Sequence, residues 1–193
     1  MQSWSLSDPA PRAPIYTIGH STRPIDEFIG ILQAHGIAQL VDIRTIPKSR
    51  HNPQFNRETL PASLKPAAIE YRHMPGLGGL RRAKPDSTNT GWRNAAFRGF
   101  ADYMQTPEFR ESLDALIQFA AGTPTAIMCA EAVPWRCHRS LVADALVARG
   151  LPVMEILSET KVQPHPMTLF ARVEDEQVTY PGARESKNLK LKF

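Results

Sequence analysis

The fold of this chain is decided by the stretch Thr125-Ala-Ile-Met-Cys-Ala-Glu-Ala-Val-Pro-Trp-Arg-Cys-His-Arg-Ser140. Its apolar run, 126–128, predicts a buried strand, and Pro134 marks a turn into the start of a helix. Reactive side chains follow the strand or open the helix: Cys129, Glu131, Cys137, His138 and Arg139. Ligands of open α/β sheets bind outside the carboxyl ends of the strands. We therefore expect the chemistry of the protein to be located here.

The composition of the 193-residue chain fits one domain with a full core, with 42% hydrophobic and 22% charged residues. No apolar run approaches the length of a membrane span, and the first residues lack the pattern of a secretory signal. We expect a cytoplasmic protein that does not contact membranes. In that compartment its two cysteines should stay reduced, as reactive groups, metal ligands or simply small buried side chains.

Positive charge is concentrated in one part of the chain. The formal net charge is +4, but residues 44–98 contain eleven lysines and arginines against three acids, which gives that segment +8. A basic segment rich in loops favours an anionic partner such as a nucleotide or nucleic acid. An ordinary solvated surface would account for the charge equally well.

Strand and helix signals alternate along the chain. We predict strands at 15–19, 37–43, 69–74, 126–128 and 151–156, with helices between them. This order predicts the α/β class: a single domain with a mainly parallel sheet flanked by helices, and a short C-terminal hairpin or tail. The first strand–helix–strand unit implies parallel pairing of its two strands. The predicted divisions are a flexible leader (1–14), the α/β domain (15–157) and a C-terminal extension (158–193).

Two further segments are predicted to be loops. Residues 45–56 have no helical period and resemble a functional loop. The turn Pro75-Gly-Leu-Gly-Gly79 fits neither G-x-G-x-x-G nor the phosphate loop G-x-x-x-x-G-K-[ST]. We interpret it as a mobile glycine turn.

The strand ends would bring together groups able to bind an anion and move protons. A helix N-terminus favours an anion and lowers the pKa of a nearby thiol, and arginines hold phosphate in a bidentate way. His20 or His138 could transfer protons, with Glu131 or Asp42 as orienting group or base. The candidate catalytic residues are Cys129, Glu131, His20, His138 and Asp42. The candidate anion-binding residues include Arg44, Arg50 and Arg139.

Structural interpretations of the same residues stay open. His20 could cap a turn, and Asp42 could form an ion pair with Arg44 or Arg139. Trp135 could stack on a base or cover the helix start. Position 135 also lacks the arginine that the cysteine-phosphatase spacing requires after Cys129, and no glycine-rich cradle surrounds that cysteine.

A metal site is a third interpretation. Cys129, Cys137, His138 and His20 could supply four zinc-type ligands, and Glu131 could replace one of them. Against this, C-x7-C-H is not a standard zinc spacing, and neighbours such as Cys137 and His138 point in different directions on a helix.

Several ordered motifs together resemble the domain of unknown function 488 family over about residues 15–156. They are Thr17-Ile-Gly-His-Ser21, Val41-Asp-Ile-Arg44, Pro47-Lys-Ser-Arg50 with Pro53-Gln-Phe55, Leu77-Gly-Gly79, Met128-Cys-Ala-Glu131 and Cys137-His-Arg139. The resemblance implies no settled activity. It implies that the candidate residues, with Ser49 added to the anion-binding set, occupy motif positions. The chain departs from the pattern at Thr45-Ile46, where an aromatic residue is more usual, and this weakens a stacking role for that loop.

Three functions are consistent with the sequence. The first is an enzyme-like domain that binds or acts on a phosphate-bearing ligand, a nucleotide or nucleic acid, at the carboxyl ends of the strands. The second is an anion or nucleic-acid binding module without catalysis. The third is a Cys/His metal-binding protein. The sequence indicates no particular cofactor.

Overall fold

The computed structural model of the protein describes residues 13–182. Most of the predicted leader (1–14) and the last residues of the C-terminal extension (183–193) lie outside these described residues. The strands are β1 (Ile15–Gly19), β2 (Gln39–Asp42), β3 (Glu70–His73), β4 (Thr125–Cys129), β5 (Val153–Ile156), β6 (Val162–Pro164), β7 (Arg172–Glu174) and β8 (Gln177–Thr179). The α-helices are α1 (Ile25–Ala34), α2 (Leu60–Leu64), α3 (Ala95–Tyr103), α4 (Pro107–Phe119) and α5 (Arg139–Ala148).

The main sheet has the order β3-β2-β4-β1-β5-β6, and its first five strands are parallel. This confirms the predicted α/β class. Strands β1 and β2 are parallel as expected but do not pair with each other, because β4 lies between them. The register aligns Gly19 with Cys129, and Asp42 with Met128. The three strands that carry candidate residues therefore end side by side at one edge.

Helices cover both faces of the sheet, which explains why β4 reads as an unbroken apolar run. On one face Met128 packs with residues of α1 and α2, including Phe28 and Leu64. On the other face Cys129 packs with residues of α3, α4 and α5, including Phe100. Burial on both faces fixes β4 firmly in the centre of the sheet. Residues at its carboxyl end are therefore held in defined positions.

The local sequence determines where helix α4 begins and ends. Thr106 caps it by accepting a hydrogen bond from the backbone N–H of Phe109, and Pro107 occupies the first turn. After the helix, Gly122 adopts a φ of +77°, which a side chain would strain. None of the helices within residues 13–182 is long and apolar enough to cross a membrane.

The described part of the C-terminal extension packs against the α/β domain. Strand β6 adds to β5 in antiparallel orientation, an edge strand that the sequence did not predict. Strands β7 and β8 form the predicted hairpin. Val178 and Tyr180 are buried with residues of α5. Polar contacts strengthen this attachment: the Tyr180 hydroxyl donates to Asp144 of α5 over 2.8 Å.

Candidate functional site

A pocket of about 510 Å³ opens at the carboxyl edge of β4, where the sequence analysis places the chemistry. Six chemically active residues line it: Arg44, Cys129, Glu131, Arg136, Cys137 and His138. Cys129, Glu131 and His138 of the predicted catalytic set therefore share one cavity. Arg44 is the only member of the predicted anion-binding set among the residues that line it.

Both cysteines face the imidazole of His138. The Nδ1 atom of this ring lies 3.8 Å from Cys129 Sγ and 3.7 Å from Cys137 Sγ. The chain reaches this arrangement because a short 3₁₀ turn, Pro134–Arg136, returns it toward the end of β4. Cys137 and His138 precede α5, which begins at Arg139. The objection that these two neighbours diverge on a helix therefore does not apply.

The two thiols differ in acidity. The interaction with Cys137 raises the pKa of the Cys129 thiol well above its ordinary value, and burial raises it further. The same interaction lowers the pKa of Cys137, as does the positive charge of Arg139, although burial opposes both. The backbone N–H of Arg139 also donates to Cys137 Sγ over 3.5 Å. Cys137 is therefore the more acidic thiol of the pair.

Arg139 holds the loop that follows β4. Its side chain is fully buried and donates to the backbone carbonyls of Glu131 at 2.6 Å and Ala132 at 3.1 Å. The loop lies so close to β1 that a Cβ at Gly19 would come within 1.8 Å of the Glu131 carbonyl oxygen. The predicted anion-binding role of Arg139 is therefore not supported, because its guanidinium group faces backbone rather than the pocket.

Asp42 and Arg44 form a buried ion pair at the end of β2. The Nε and Nη2 atoms of Arg44 donate to the two carboxylate oxygens of Asp42 at 2.9 and 2.6 Å. A second hydrogen bond from Nη2 reaches the carbonyl of Phe55, and Tyr71 donates its hydroxyl to Asp42. These contacts agree with the interpretation of Asp42 as one half of a structural ion pair. The Asp42 carboxylate is not among the groups that line the pocket. The Arg44 side chain has five N–H groups, and four of them donate hydrogen bonds: two to Asp42, one to Phe55 and one to His20.

His20 is part of the same network. Its Nδ1 atom contacts the Ser21 carbonyl at 2.7 Å, so this nitrogen carries the proton, and Nε2 accepts from Arg44 at 3.1 Å. The ring stacks on Phe55 at 4.2 Å between centroids. Burial lowers the pKa of His20 to about 4, and the charge of Arg44 lowers it as well. His20 is therefore a neutral, fully bonded structural residue, and we set aside its predicted catalytic and metal-binding roles.

Ser49 and Arg50 lie in the loop before the 3₁₀ turn Pro53–Phe55, away from the residues that line the pocket. The Ser49 hydroxyl accepts hydrogen bonds from the backbone N–H groups of His51 and Asn52, and its own N–H donates to Asn56. Ser49 therefore shapes its own loop. Arg50 is exposed. Neither residue is placed to bind an anion in this pocket.

The glycine segment after β3 packs directly against the site. A Cβ at Gly79 would lie 2.5 Å from the His138 ring, and Tyr103 donates its hydroxyl to the Gly76 carbonyl over 2.8 Å. The N–H of Leu80 donates to Thr45. The interpretation as a mobile turn is therefore replaced by one of close packing, in which Gly79 approaches His138 and Gly78 approaches Thr45.

Sequence reasoning missed two contributors to the pocket. Arg136 is exposed and has no ion-pair partner within residues 13–182. Its position next to Cys137 is the sequence signal that could have identified it. The start of α3 is the second: Asn94, which caps the helix, and Ala96 and Phe97 of its first turn all line the pocket. Nothing in their sequence links them to β4.

Two exposed apolar side chains also line the pocket. Ile46 and Leu80 line it while remaining 65% and 70% exposed. Trp135, next to Arg136, is 68% exposed, so it does not act as a cover for the helix start.

The fold and site define a class: an α/β protein whose pocket, at the carboxyl edge of the sheet, contains two cysteines, a histidine and arginines. The model of the family Domain of unknown function DUF488 matches residues 24–146. The chain belongs to this family, which confirms the resemblance inferred from its motifs. Searches of curated proteins and of solved structures gave no match.

Proposed function

We propose that this protein is an enzyme that binds a phosphate-bearing ligand, a nucleotide free or within a nucleic acid, in the pocket at the end of β4. The volume of about 510 Å³ falls within the range of about 300–1,000 Å³ that ligand pockets occupy. The observation that carries the proposal is the meeting of two helix N-termini with Arg136 at this pocket.

The helix starts favour negative charge. The first residues of α3 and the residues just before α5 both line the pocket. A helix N-terminus has a positive dipole end, which attracts phosphate. The first N–H groups of α5 already have partners within the chain, Arg139 with Cys137 Sγ and Leu141 with the His138 carbonyl, so this helix contributes its dipole rather than free donors. Arg136 adds an exposed guanidinium without an ion-pair partner among the described residues, and Arg44 keeps one N–H group beyond its four hydrogen bonds. Arg136 therefore replaces Arg50 and Arg139 as the main anion-binding candidate.

Other residues that line the pocket suit the remainder of a nucleotide. Ile46, Leu80 and Phe97 provide apolar contact for a base. The Asn94 side-chain oxygen accepts from the Ala96 backbone N–H, which leaves its NH₂ group to donate to a ligand. The groups available for chemistry are the thiols of Cys129 and Cys137, the His138 imidazole and the Glu131 carboxylate. Cys129 and Cys137 contact His138, and Glu131 lines the same cavity.

Calorimetric titration with pyrophosphate, a nucleoside diphosphate and a short single-stranded oligonucleotide, at low and high salt, tests binding. We expect Arg136→Ala to weaken binding by roughly 10–100-fold, because a hydrogen bond to a charged group contributes about 1.5–3 kcal/mol. Arg50→Ala, an exposed arginine outside the pocket, is the matched control. Absence of binding at low salt, or equal effects of the two substitutions, would refute the site.

The three probes separate the ligand classes. Tighter binding of the oligonucleotide, with a steeper dependence on salt, indicates nucleic acid, whereas equal binding of the small phosphates indicates a free nucleotide.

Chromatography of each ligand after incubation tests for catalysis. Glu131→Gln and Cys137→Ser should abolish conversion while leaving binding. If no bound ligand is ever converted, the protein is a binding module and the enzymatic part of the proposal is wrong.

A further inference from the structure

Cys129, Cys137 and His138 bring three metal-binding atoms together at the floor of the pocket. One atom from each residue lies within 4.8 Å of the other two. The sulfur-to-Nδ1 separations are 3.8 and 3.7 Å. Tetrahedral zinc, with Zn–S of about 2.3 Å and Zn–N of about 2.0–2.1 Å, places sulfur and nitrogen ligands roughly 3.6 Å apart. The observed spacings are thus close to those of a shared metal ion.

The imidazole is already oriented as a ligand. His138 Nε2 lies 3.3 Å from the Ile43 carbonyl oxygen, to which it donates, so Nδ1 presents its lone pair to the two sulfurs. Histidines that bind metals typically donate their second ring N–H to a carbonyl or carboxylate in this way. Phe100 packs edge-on against the ring at 5.1 Å and restricts its rotation. The backbone N–H of Arg139 donates a hydrogen bond to Cys137 Sγ and helps to hold this sulfur in place.

We propose that Cys129, Cys137 and His138 bind one divalent ion of the zinc type, with its remaining coordination position open to the pocket. Structural zinc sites use four protein ligands, whereas catalytic sites use three and leave a position for water or substrate. His20 does not supply the fourth ligand, since both of its ring nitrogens are engaged elsewhere. Glu131 lines the same pocket and could position a metal-bound water.

This inference goes beyond phosphate binding and does not depend on it. The metal would be held by strand β4 and the segment before α5, both fixed by the core. The residues proposed to bind the phosphate-bearing ligand, Arg136 and the start of α3, are not metal ligands, whereas the catalytic part of that proposal uses the same thiols and imidazole. Phosphate binding and metal binding can therefore each fail while the other stands.

Metal titration of the full chain, prepared without an affinity tag, tests the site. Zn²⁺ alone is measured by equilibrium dialysis, and Co²⁺ serves as an optical probe because thiolate ligands give charge-transfer absorption. We expect one ion per chain and intense thiolate-to-cobalt absorption. Cys129→Ser, Cys137→Ser and His138→Gln should each weaken binding at least tenfold, while His51→Gln, at an exposed histidine, should leave it unchanged.

Two further measurements separate loss of the metal site from loss of the fold. Circular dichroism establishes that each variant is folded, and protection of the wild-type thiols from alkylation by Zn²⁺ reports on the site without any substitution. We expect strong protection of both cysteines. Absence of stoichiometric binding, cobalt binding without thiolate absorption, or unchanged affinity in folded Cys137→Ser would overturn the proposal.

Discussion

The Arg44 guanidinium donates a hydrogen bond to Nε2 of His20 across 3.1 Å, beneath the edge of the sheet. Only a neutral imidazole can accept this bond, because both nitrogens of a charged imidazole carry protons. The ion pair of Arg44 with Asp42 therefore shapes the environment of His20 as well as the end of β2. His20, which the sequence suggested for proton transfer, is therefore structural, whereas Arg44 both stabilises this network and lines the pocket.

Acidification should lower the free energy of unfolding, because it protonates His20. Its pKa is about 4 in the folded protein and 6.5 in the unfolded chain. The stabilisation is therefore complete above pH 6.5 and is lost as the pH falls toward 4, and it amounts to about 3 kcal/mol. Urea unfolding between about pH 7 and pH 5.5 measures the onset of this loss, in a range where ordinary carboxylates are almost fully ionised. His20→Gln should flatten the pH dependence in this range, and His51→Gln should not. A persistent slope in the His20 variant would contradict this explanation.

Breaking the Asp42–Arg44 pair should cost far more than removing a surface charge. Both side chains are buried, and either partner alone would be an uncompensated buried charge. We expect Arg44→Ala or Asp42→Asn to lower the free energy of unfolding by about 3–5 kcal/mol. Arg50→Ala, on the exposed loop, should change it by less than about 0.5 kcal/mol. Chemical denaturation provides the comparison, and a cost for Arg44→Ala near that of Arg50→Ala would show that the pair is not structural.

The location of the site was predictable because it depends on local sequence. A buried strand that ends in Cys129, followed eight residues later by Cys137 before a helix, must return close to its own end. The roles of individual arginines were less predictable. Arg139 is the first residue of α5 and its side chain turns under the loop, whereas Arg136, three residues earlier, faces the cavity. That difference follows from the 3₁₀ turn Pro134–Arg136, which no periodicity in the sequence indicates.

Strand order required tertiary information. The apolar pattern of β4 predicts burial on both faces but not insertion between β1 and β2. Strand β6 is three residues long, ends in Pro164 and is mostly exposed, so it lacks the alternation that marks a strand. It is placed by its backbone pairing with β5 and by contacts of His165, which follows it directly. This histidine donates to Glu155 of β5 and to Asp144 of α5.

Raising the pH should loosen the attachment of the C-terminal extension, because His165 loses its positive charge. Burial alone would lower the pKa of this residue, but its hydrogen bonds with Asp144 and Glu155 raise it to about 9. Because the unfolded value is 6.5, the stabilisation is complete below pH 6.5 and is lost as the pH rises toward 9. It amounts to about 3 kcal/mol.

Unfolding measured between pH 6.5 and 9.5, with hydrogen exchange of the β6 amides, tests the role of His165. Stability and protection should both fall as the pH rises. His165→Gln should be less stable at pH 6.5 and lose most of the slope, whereas His51→Gln should retain it. Full protection of β6 at pH 9.5 in the wild type would show that the charged imidazole does not hold the extension.

Gly79 should control the geometry of His138 more than the stability of the fold. A Cβ at this position would lie 2.5 Å from both Cγ and Nδ1 of the ring, so the ring must shift from its present position relative to the two cysteines. We expect Gly79→Ala to lower stability by about 1–3 kcal/mol and to weaken Co²⁺ binding roughly 10–100-fold, the usual cost of disturbing the support of a metal ligand.

Gly30→Ala is the matched control, since an added Cβ in that turn of α1 meets nothing within 4 Å. Removing a helical glycine there should raise stability by roughly 0.5–1 kcal/mol and leave the cobalt spectrum unchanged. Denaturation and cobalt titration of the two variants separate a change in packing from a change at the site. If Gly79→Ala resembles Gly30→Ala in both measurements, the glycine segment does not position His138, and its close approach has no bearing on the chemistry of the pocket.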